Sequence, residues 1–411
     1  MPSSIDEDRD DNVRNRKKEK SRKPGNTAFR QQRLKAWQPI LTPKTVLPLF
    51  FIVGCIFAPI GGLLLWSSAK VQEIVIDYTE CDRAKGGKVD IPSGKFKTAF
   101  HSAVDPGAAP PQWEWITGAD SALPYAPKYK ENVCRIEFQL PNELKAPVLL
   151  YYRLTNFYQN HRRYVQSLDE DQLRGKPRTY SSIDGSGNCD PLVGEQGKPY
   201  YPCGLIANSI FNDTFGDLRL LNAQENRDNV LYSMTNKGIA WETDKERYGT
   251  TEYKPEDVLP PPNWVESYPG GYTNESMPKL RENEEFQVWM RTAGLPTFSK
   301  LAKRNDKDTM QKGRYRIEIY SRFPVKKYSG TKSIVISTRT VMGGRNPFLG
   351  IAYVVVGGLC VVLGALFTAR HLIKPRKLGD HTYLSWNNED SGHSGVAAGR
   401  DGGLAGRSDT L

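Results

Sequence analysis

Six cysteines, five histidines and two Asn-X-Ser/Thr triplets are the residues of this 411-residue chain best suited to covalent or metal chemistry. Cys81, Cys134, Cys189 and Cys203 are scattered through its middle, and no two are spaced as Cys-x-x-Cys. A thiol-redox or zinc centre of the familiar kinds needs such a pair or a His-Glu-x-x-His turn, and neither is present. Between positions 67 and 347 the only histidines are His101 and His161. His161 lies in the polar, basic run Asn160-His161-Arg162-Arg163, which suits hydrogen bonding better than proton transfer. There is no Gly-x-Ser-x-Gly elbow, since Gly392-His393-Ser394-Gly395 fails at its last position. A phosphate-cradling Walker loop and an Asp-Lys-Thr-Gly phosphorylation site are also missing. Carboxylates are plentiful, so a glycosidase-type acid pair is the one hydrolytic arrangement left open. The expectation is a chain with no catalytic residue, no cofactor and no metal.

The cysteines and triplets have another use. Cys55 and Cys360 fall inside two long apolar runs, which leaves four cysteines for the region between. In an oxidising compartment four cysteines form two disulfides with three possible connectivities. Asn212-Asp213-Thr214 and Asn274-Glu275-Ser276 are acceptor sequences for N-linked glycans and lie in the same region.

The elements that must position these residues begin with the apolar runs. Val46–Trp66 and Phe348–Ala369 are uncharged stretches of 21 and 22 residues. At helical rise each spans roughly 30 Å, the thickness of a bilayer's hydrocarbon core. Within 15 residues of the runs, Arg33, Lys35, Lys44, Arg370, Lys374, Arg376 and Lys377 lie on the tail sides, against Lys70, Arg339 and Arg345 on the loop sides. Positive charge stays in the cytoplasm, so both tails are expected there and residues 67–347 in a lumenal or extracellular space. The resulting division is a cytoplasmic tail (1–45), a first span (46–66), an ectodomain (67–347), a second span (348–369) and a cytoplasmic, largely disordered tail (370–411). The net charge of +11 resides mostly in the N-terminal tail, whose first 45 residues hold 12 basic and 6 acidic side chains. The ectodomain is close to neutral, which excludes a nucleic-acid-binding stripe.

Alternation of apolar and polar residues marks strands at Ile74-Ile76-Tyr78, Cys134-Ile136-Phe138-Leu140, Tyr315-Ile317-Ile319 and Ser333–Thr340. Short helices are expected after a Ser167/Glu170 capping box and over Thr297–Arg304. Proline-rich stretches at Pro106–Pro111 and Pro255–Pro262 read as loops. The fold class that results is a membrane protein with two transmembrane α-helices and one large, mostly antiparallel, sandwich-like β ectodomain with short helices and long loops. Gly54, Ala58 and Gly62 recur every four residues in the first span; Gly350, Gly357 and Gly364 recur every seven in the second. Such small residues permit close helix approach in lipid and are candidate partner contacts. Phe29 and Trp37, in a semi-apolar segment just before the first span, are further candidates, either as an interfacial anchor or for docking on a partner. Neither span holds an ionisable residue, so a transport route would have to come from another subunit.

Several long runs are recognisable. NFYQNHRRY (Asn156–Tyr164), PCGLIANSIFNDT (Pro202–Thr214), KGIAWETDK (Lys237–Lys245), VWMRTAGLPTF (Val288–Phe298) and MGGRNPFLGIAY (Met342–Tyr353) resemble the ligand-effect modulator / cell division control protein fifty family. Its members are two-span accessory (β) subunits of type-IV P-type ATPases, the phospholipid flippases. The resemblance covers about residues 27–375, and the proline-rich insertion around Pro255–Tyr272 looks like fungal members. It implies disulfides Cys81–Cys134 and Cys189–Cys203, since the extra cysteine pair of many animal members is absent. It also implies a β ectodomain over the exoplasmic loops of an ATPase, with both spans on its membrane domain among the surrounding phospholipids. The nucleotide site, the phosphorylated aspartate and the lipid path would belong to that catalytic subunit. This chain would serve assembly, exit from the endoplasmic reticulum towards Golgi, endosome or plasma membrane, and support of lipid translocation. A free-standing glycosylated receptor or adhesion protein is the rival from a different class, and a membrane-tethered hydrolase a third.

Overall fold

The computed structural model describes residues 26–35, 41–103, 107, 109–126, 129–221, 230–339 and 343–375. Trp37 and Thr340 lie outside these residues, as do most of both polar tails. The chain forms two units, Met1–Cys55 with Leu359–Leu411, and Ile56–Gly358.

Two long apolar helices, Pro43–Ala69 and Phe348–Ile373, have 27 and 26 residues and make this a membrane protein. The first begins three residues before the apolar run because Pro43 suits a helix start, where its missing N–H has no partner to lose. Thr45 N and Val46 N both donate to Thr42 O, closing that first turn. The second runs on through Arg370 and His371, basic residues of the kind that suit the negative end of the helix dipole. Within the first unit, a Cβ added to Gly364 would come within 3.3 Å of Phe50 and Phe51, and the Phe50 and Phe367 rings lie 5.9 Å apart. Within the second, a Cβ on Gly357 would meet Ala58 N at 2.9 Å, and one on Gly350 would meet Leu65 Cγ at 2.8 Å. The heptad glycines thus pack one span on the other inside a single chain.

The ectodomain is built on two antiparallel sheets. One comprises β1 (Glu73–Asp77), β3 (Phe96–Ala99), β6 (Val148–Leu154), β12 (Phe298–Asn305) and β14 (Lys332–Thr338), in the order β12-β6-β14-β1-β3. The other comprises β2 (Val89–Asp90), β4 (Gln112–Asp120), β5 (Lys130–Leu140), β10 (Leu218–Leu220), β11 (Val230–Tyr232) and β13 (Gly313–Tyr320), in the order β11-β10-β13-β5-β4-β2. Strand β9 (Thr214–Phe215) also pairs with β13, and β7 (Gly194–Glu195) with β8 (Lys198–Pro199) forms a separate hairpin. Period-two alternation places Ile74 and Ile76 of β1 and Ile334 and Ile336 of β14 in the same core as Ile136 and Phe138 of β5 and Ile317 and Ile319 of β13. Burial of such side chains stabilises by roughly 1.5–3 kcal/mol each relative to exposure, so this shared core is what joins the sheets.

Two sequence expectations are corrected. Thr297–Arg304 is not a helix: Phe298–Asn305 is strand β12, paired with β6 from Phe298↔Leu154 to Asn305↔Val148 with a bulge between Leu301 and Lys303. Its Lys, Leu, Ala and Arg residues favour a helix locally, but burial of Lys300 and Ala302 against the core decides otherwise. The helix expected after Ser167 starts at Glu170 and is capped by Asp169, whose side chain accepts from Gln172 N at 2.8 Å. The Ser167 hydroxyl instead accepts from Leu205 N at 2.8 Å and donates to Asp190 O at 3.0 Å.

Candidate partner interface

Cys81, in the turn after β1, is joined to Cys134 on β5, so this disulfide ties one sheet to the other with a Cα–Cα distance of 6.0 Å. Cys189 is joined to Cys203, 14 residues on, within a small separate core shared with Ile183 and Val193. The cysteines within the membrane helices, Cys55 and Cys360, are free.

Just beyond Cys203 the chain turns at Gly204, which adopts φ +95° and sits so close to Ser167 that an added Cβ would lie 2.2 Å from its carbonyl oxygen. The short Leu205–Asn208 helix follows. Two buried tryptophans donate to it: Trp289 Nε1 to Ile206 O at 2.8 Å and Trp264 Nε1 to Ala207 O at 2.9 Å. Tyr164 OH and Ser209 Oγ are 2.8 Å apart.

Four of the runs that carry the family resemblance converge here. Val288–Phe298 meets Pro202–Thr214 through Trp289. It meets Asn156–Tyr164 through three bonds: Phe157 N to Pro296 O at 3.1 Å, Asn160 Nδ2 to Gly294 O at 3.0 Å, and Ala293 N to Gln159 Oε1 at 2.9 Å. It meets Lys237–Lys245 where the Arg291 guanidinium stacks 3.6 Å over the Trp241 ring. Two charged side chains set the base of this assembly. Glu284 accepts from Ile239 N at 2.8 Å and Ala240 N at 3.1 Å; burial pushes its carboxyl up, but these backbone donors and Lys245 hold it below the usual value. Lys300 donates to Val288 O at 2.9 Å, Trp289 O at 2.6 Å and Arg291 O at 2.7 Å, the carbonyls at the end of the Glu284–Met290 helix. Burial pulls its pKa down to about 7, with Arg291 adding to the effect, yet three acceptors match the three protons of the ammonium form.

The same assembly exposes large apolar side chains. Tyr158 is 57% exposed, Leu295 69% and Trp241 62%, each on one of the converging runs. Arg162 and Arg163 beside them are exposed as well. Large apolar side chains held outward by a hydrogen-bonded base are what a protein-docking surface requires. Sequence reasoning missed these positions; the signal was the recognisable runs themselves, which lie far apart in sequence.

A buried charge network locks the two sheets near the first glycan triplet. Lys332 Nζ, on β14, lies 2.7 Å from Asp213 Oδ2, with their side chains 5% and 0% exposed. Tyr78 OH donates to the same oxygen at 2.8 Å, while Arg322 N and Phe323 N donate to Oδ1, each at 2.6 Å. Burial and the neighbouring carboxylate raise the Tyr78 phenol well above its ordinary pKa, so it remains a donor. Arg322 in turn makes a two-pronged pair with Glu131 and donates to Asn212 O and Thr214 Oγ1, both at 2.7 Å. Further along β5, Glu137 is paired with Lys88 at 2.8 Å, Arg316 at 2.8 Å and Arg314 at 3.1 Å. Burial pushes Glu137 up, but these cations outweigh it and hold the carboxyl at about 2.

Asn274 is exposed and Asn212 half-buried. Gly54 is buried; Ala58, Gly350, Gly357 and Gly364 lie along the contact between the spans of this chain. Gly62 is not part of that contact: a Cβ there would meet nothing, whereas one on Gly61 would lie 2.7 Å from Val354. Four residues turn a helix by 400°, so a four-residue repeat drifts by about 40° at each step and leaves the face. Phe29 is 77% exposed, and Trp37 is outside the described residues. His101 and His161 are exposed, and among the described residues no group of three or more His, Cys, Asp or Glu could hold a metal ion.

The sequence matches the LEM3 (ligand-effect modulator 3) family / CDC50 family over residues 64–377. It is 47% identical to "Phospholipid-transporting ATPase accessory subunit CRF1" of Saccharomyces cerevisiae, over 91% of each chain. It is 40% identical to "Cell cycle control protein 50A" of Bos taurus, over 84% of this chain and 88% of the bovine one. To "ALA-interacting subunit 3" of Arabidopsis thaliana it is 37% identical, over 90% of this chain and 93% of the plant one. With two membrane helices flanking an antiparallel β domain, and with family similarity from the end of the first helix to beyond the second, the chain belongs to the LEM3/CDC50 family.

Proposed function

We propose that this chain is the non-catalytic accessory subunit of a P-type ATPase phospholipid flippase, forming a heterodimer with the catalytic subunit. The observation that carries the proposal is similarity at 47% identity over 91% of both chains to a yeast protein named as such a subunit. The ATPase supplies ATP hydrolysis and the lipid path. This chain supplies assembly, exit from the endoplasmic reticulum towards Golgi, endosome or plasma membrane, and support of the transport cycle. Both tails are cytoplasmic, following the excess of Lys and Arg on the tail sides of the spans. The ectodomain is exoplasmic, with disulfides at Cys81–Cys134 and Cys189–Cys203 and N-linked glycans at Asn212 and Asn274. Tyr158, Leu295 and Trp241 form the face that meets the exoplasmic loops of the ATPase, and the outward sides of the spans meet its membrane helices. Support of the cycle requires that this chain bind some pump states more tightly than others, because contacts equal in every state shift no equilibrium.

The test is native purification of the full chain from its own membranes and mass spectrometry of what accompanies it. A P-type ATPase in near-equal amount is the expected result, and its loss in a Tyr158→Asp, Leu295→Asp variant that still reaches the same compartment would locate the contact. A chain that purifies alone in every mild detergent and is stable at the surface would instead be a free-standing receptor.

A further inference from the structure

The tail-side ends of the two membrane helices enclose a cleft of about 540 Å³ with two kinds of wall. Leu47 and Phe50 of the first helix and Phe367 of the second make its apolar lining, and Arg370, His371 and Lys374 at the end of the second make its basic lining. An adjoining groove of about 600 Å³ shares Pro43, Leu47 and His371 with it, runs over Phe51 and Ile52, and has Lys44 as a further basic residue in its lining. No acidic residue lines either, and among the described residues Arg370 and Lys374 form no ion pair. Cations at the end of a span and bare hydrocarbon walls beside them are complementary to a molecule with an anionic head and an apolar tail. Basic pockets between membrane helices bind anionic headgroups, and long cationic side chains reach out of the hydrocarbon to meet them.

We propose that this paired cleft binds one anionic phospholipid. Its phosphate and headgroup lie on Arg370 and Lys374, and one acyl chain lies along the Phe51–Ile52 groove. The acidic run Asp6–Asp11 of the same chain could match the cations but would leave the apolar groove unfilled. A zwitterionic lipid could fill the groove but brings no net charge to the two cations. The proposal needs only that the helices span a membrane, not the assignment of the chain to a flippase or its orientation.

The experiment titrates dioleoylphosphatidylserine or dioleoylphosphatidylcholine into the full chain in a mild detergent and counts bound lipid by native mass spectrometry. Phosphatidylserine is expected to bind in preference. An Arg370→Gln, Lys374→Gln variant should lose that preference by roughly twenty-five-fold, at about fivefold for each cation. Arg345→Gln, before the opposite end of the second helix, should leave it intact. Leu47→Trp, which fills the shared wall without changing charge, should weaken phosphatidylserine binding while the helices still form. Equal binding of the two lipids, a preference that survives the double substitution, or one that Leu47→Trp does not weaken would overturn the proposal. So would a preference that appears only after deletion of residues 1–25, because the occupant would then be the chain's own tail.

Discussion

Replacing Asp213 by asparagine exchanges a carboxylate oxygen for an amide group at the centre of the sheet-to-sheet charge network. The new side chain would keep one carbonyl oxygen, enough to accept from Arg322 N and Phe323 N. Its amide group would then face the Lys332 ammonium and the Tyr78 hydroxyl, donors against donors, where Asp213 Oδ2 had accepted from both. Lys332 would retain Ser321 Oγ at 2.9 Å and Phe323 O at 3.0 Å as acceptors, but neither carries a charge. Since both side chains of the pair are at most 5% exposed, water cannot take over. Breaking a buried pair from one side typically costs about 3–5 kcal/mol. With a urea slope of about 3 kcal/mol per molar, the unfolding midpoint should fall by roughly 1–2 M. The substitution leaves Asn-Asn-Thr, still a glycan acceptor, so lost glycosylation cannot be the cause. The assay is urea unfolding of the purified chain in detergent, followed by tryptophan fluorescence, for Asp213→Asn, Lys332→Met and the double variant. The double variant should recover much of the loss because no unpaired charge remains. A midpoint for Asp213→Asn within about 0.3 M of the parent, or single effects that simply add, would refute the assigned role of the pair.

Glu137 makes a pH prediction. Its carboxyl is held at about 2 in the folded chain against 4.5 ordinarily, so its stabilisation is complete above about pH 4.5 and lost as pH falls towards 2. Glu137→Gln should therefore remove up to about 3 kcal/mol at neutral pH and flatten the acid limb of the stability profile, and an unchanged limb in acid titrations would contradict the pairing with Lys88, Arg314 and Arg316. Cys203→Ser opens the disulfide that precedes the Leu205–Asn208 helix, at about 3 kcal/mol for a loop of that length, and should reduce export and ATPase co-purification more than Asn212→Gln or Asn274→Gln. In the membrane, Ala58→Leu places bulk against Gly357 and should lower the temperature at which the detergent-solubilised chain aggregates, whereas Gly62→Leu points into open space and should not. Equal thermal shifts for the two would mean that the spans do not pack at Gly357.

Different parts of the molecule were legible to different degrees. The spans could be read from the sequence because an uncharged run longer than 20 residues has few other uses, and β1, β5, β13 and β14 because one buried face enforces alternation. Strand β12 was hidden: its Lys300 reads as a helix-favouring surface residue, and only the carbonyls of Val288, Trp289 and Arg291 explain why it is inside. Asn212-Asp213-Thr214 was visible as a glycan triplet, but the more consequential residue in it is the middle one. Its partner Lys332 lies 119 residues away, and no local pattern reports a pair at that distance. The glycines of the second span stand out because small residues seven apart stay on one helix face, while Gly62 lies off the contact that the two spans of this chain make with each other. The proposed docking face was invisible as a surface because Tyr158, Trp241 and Leu295 belong to three runs that only the fold brings together.

The central claim is that this chain enables a phospholipid-moving ATPase without hydrolysing ATP itself. The most direct measurement reconstitutes three preparations in vesicles, the chain alone, the co-purifying ATPase made without it, and the two together, and follows ATP turnover and movement of labelled phospholipid. The chain alone should do neither, the complex both, and the ATPase made without the chain should be inactive or absent from the membrane fraction. ATP hydrolysis by the isolated chain, or undiminished lipid movement by an ATPase that never met it, would contradict the claim.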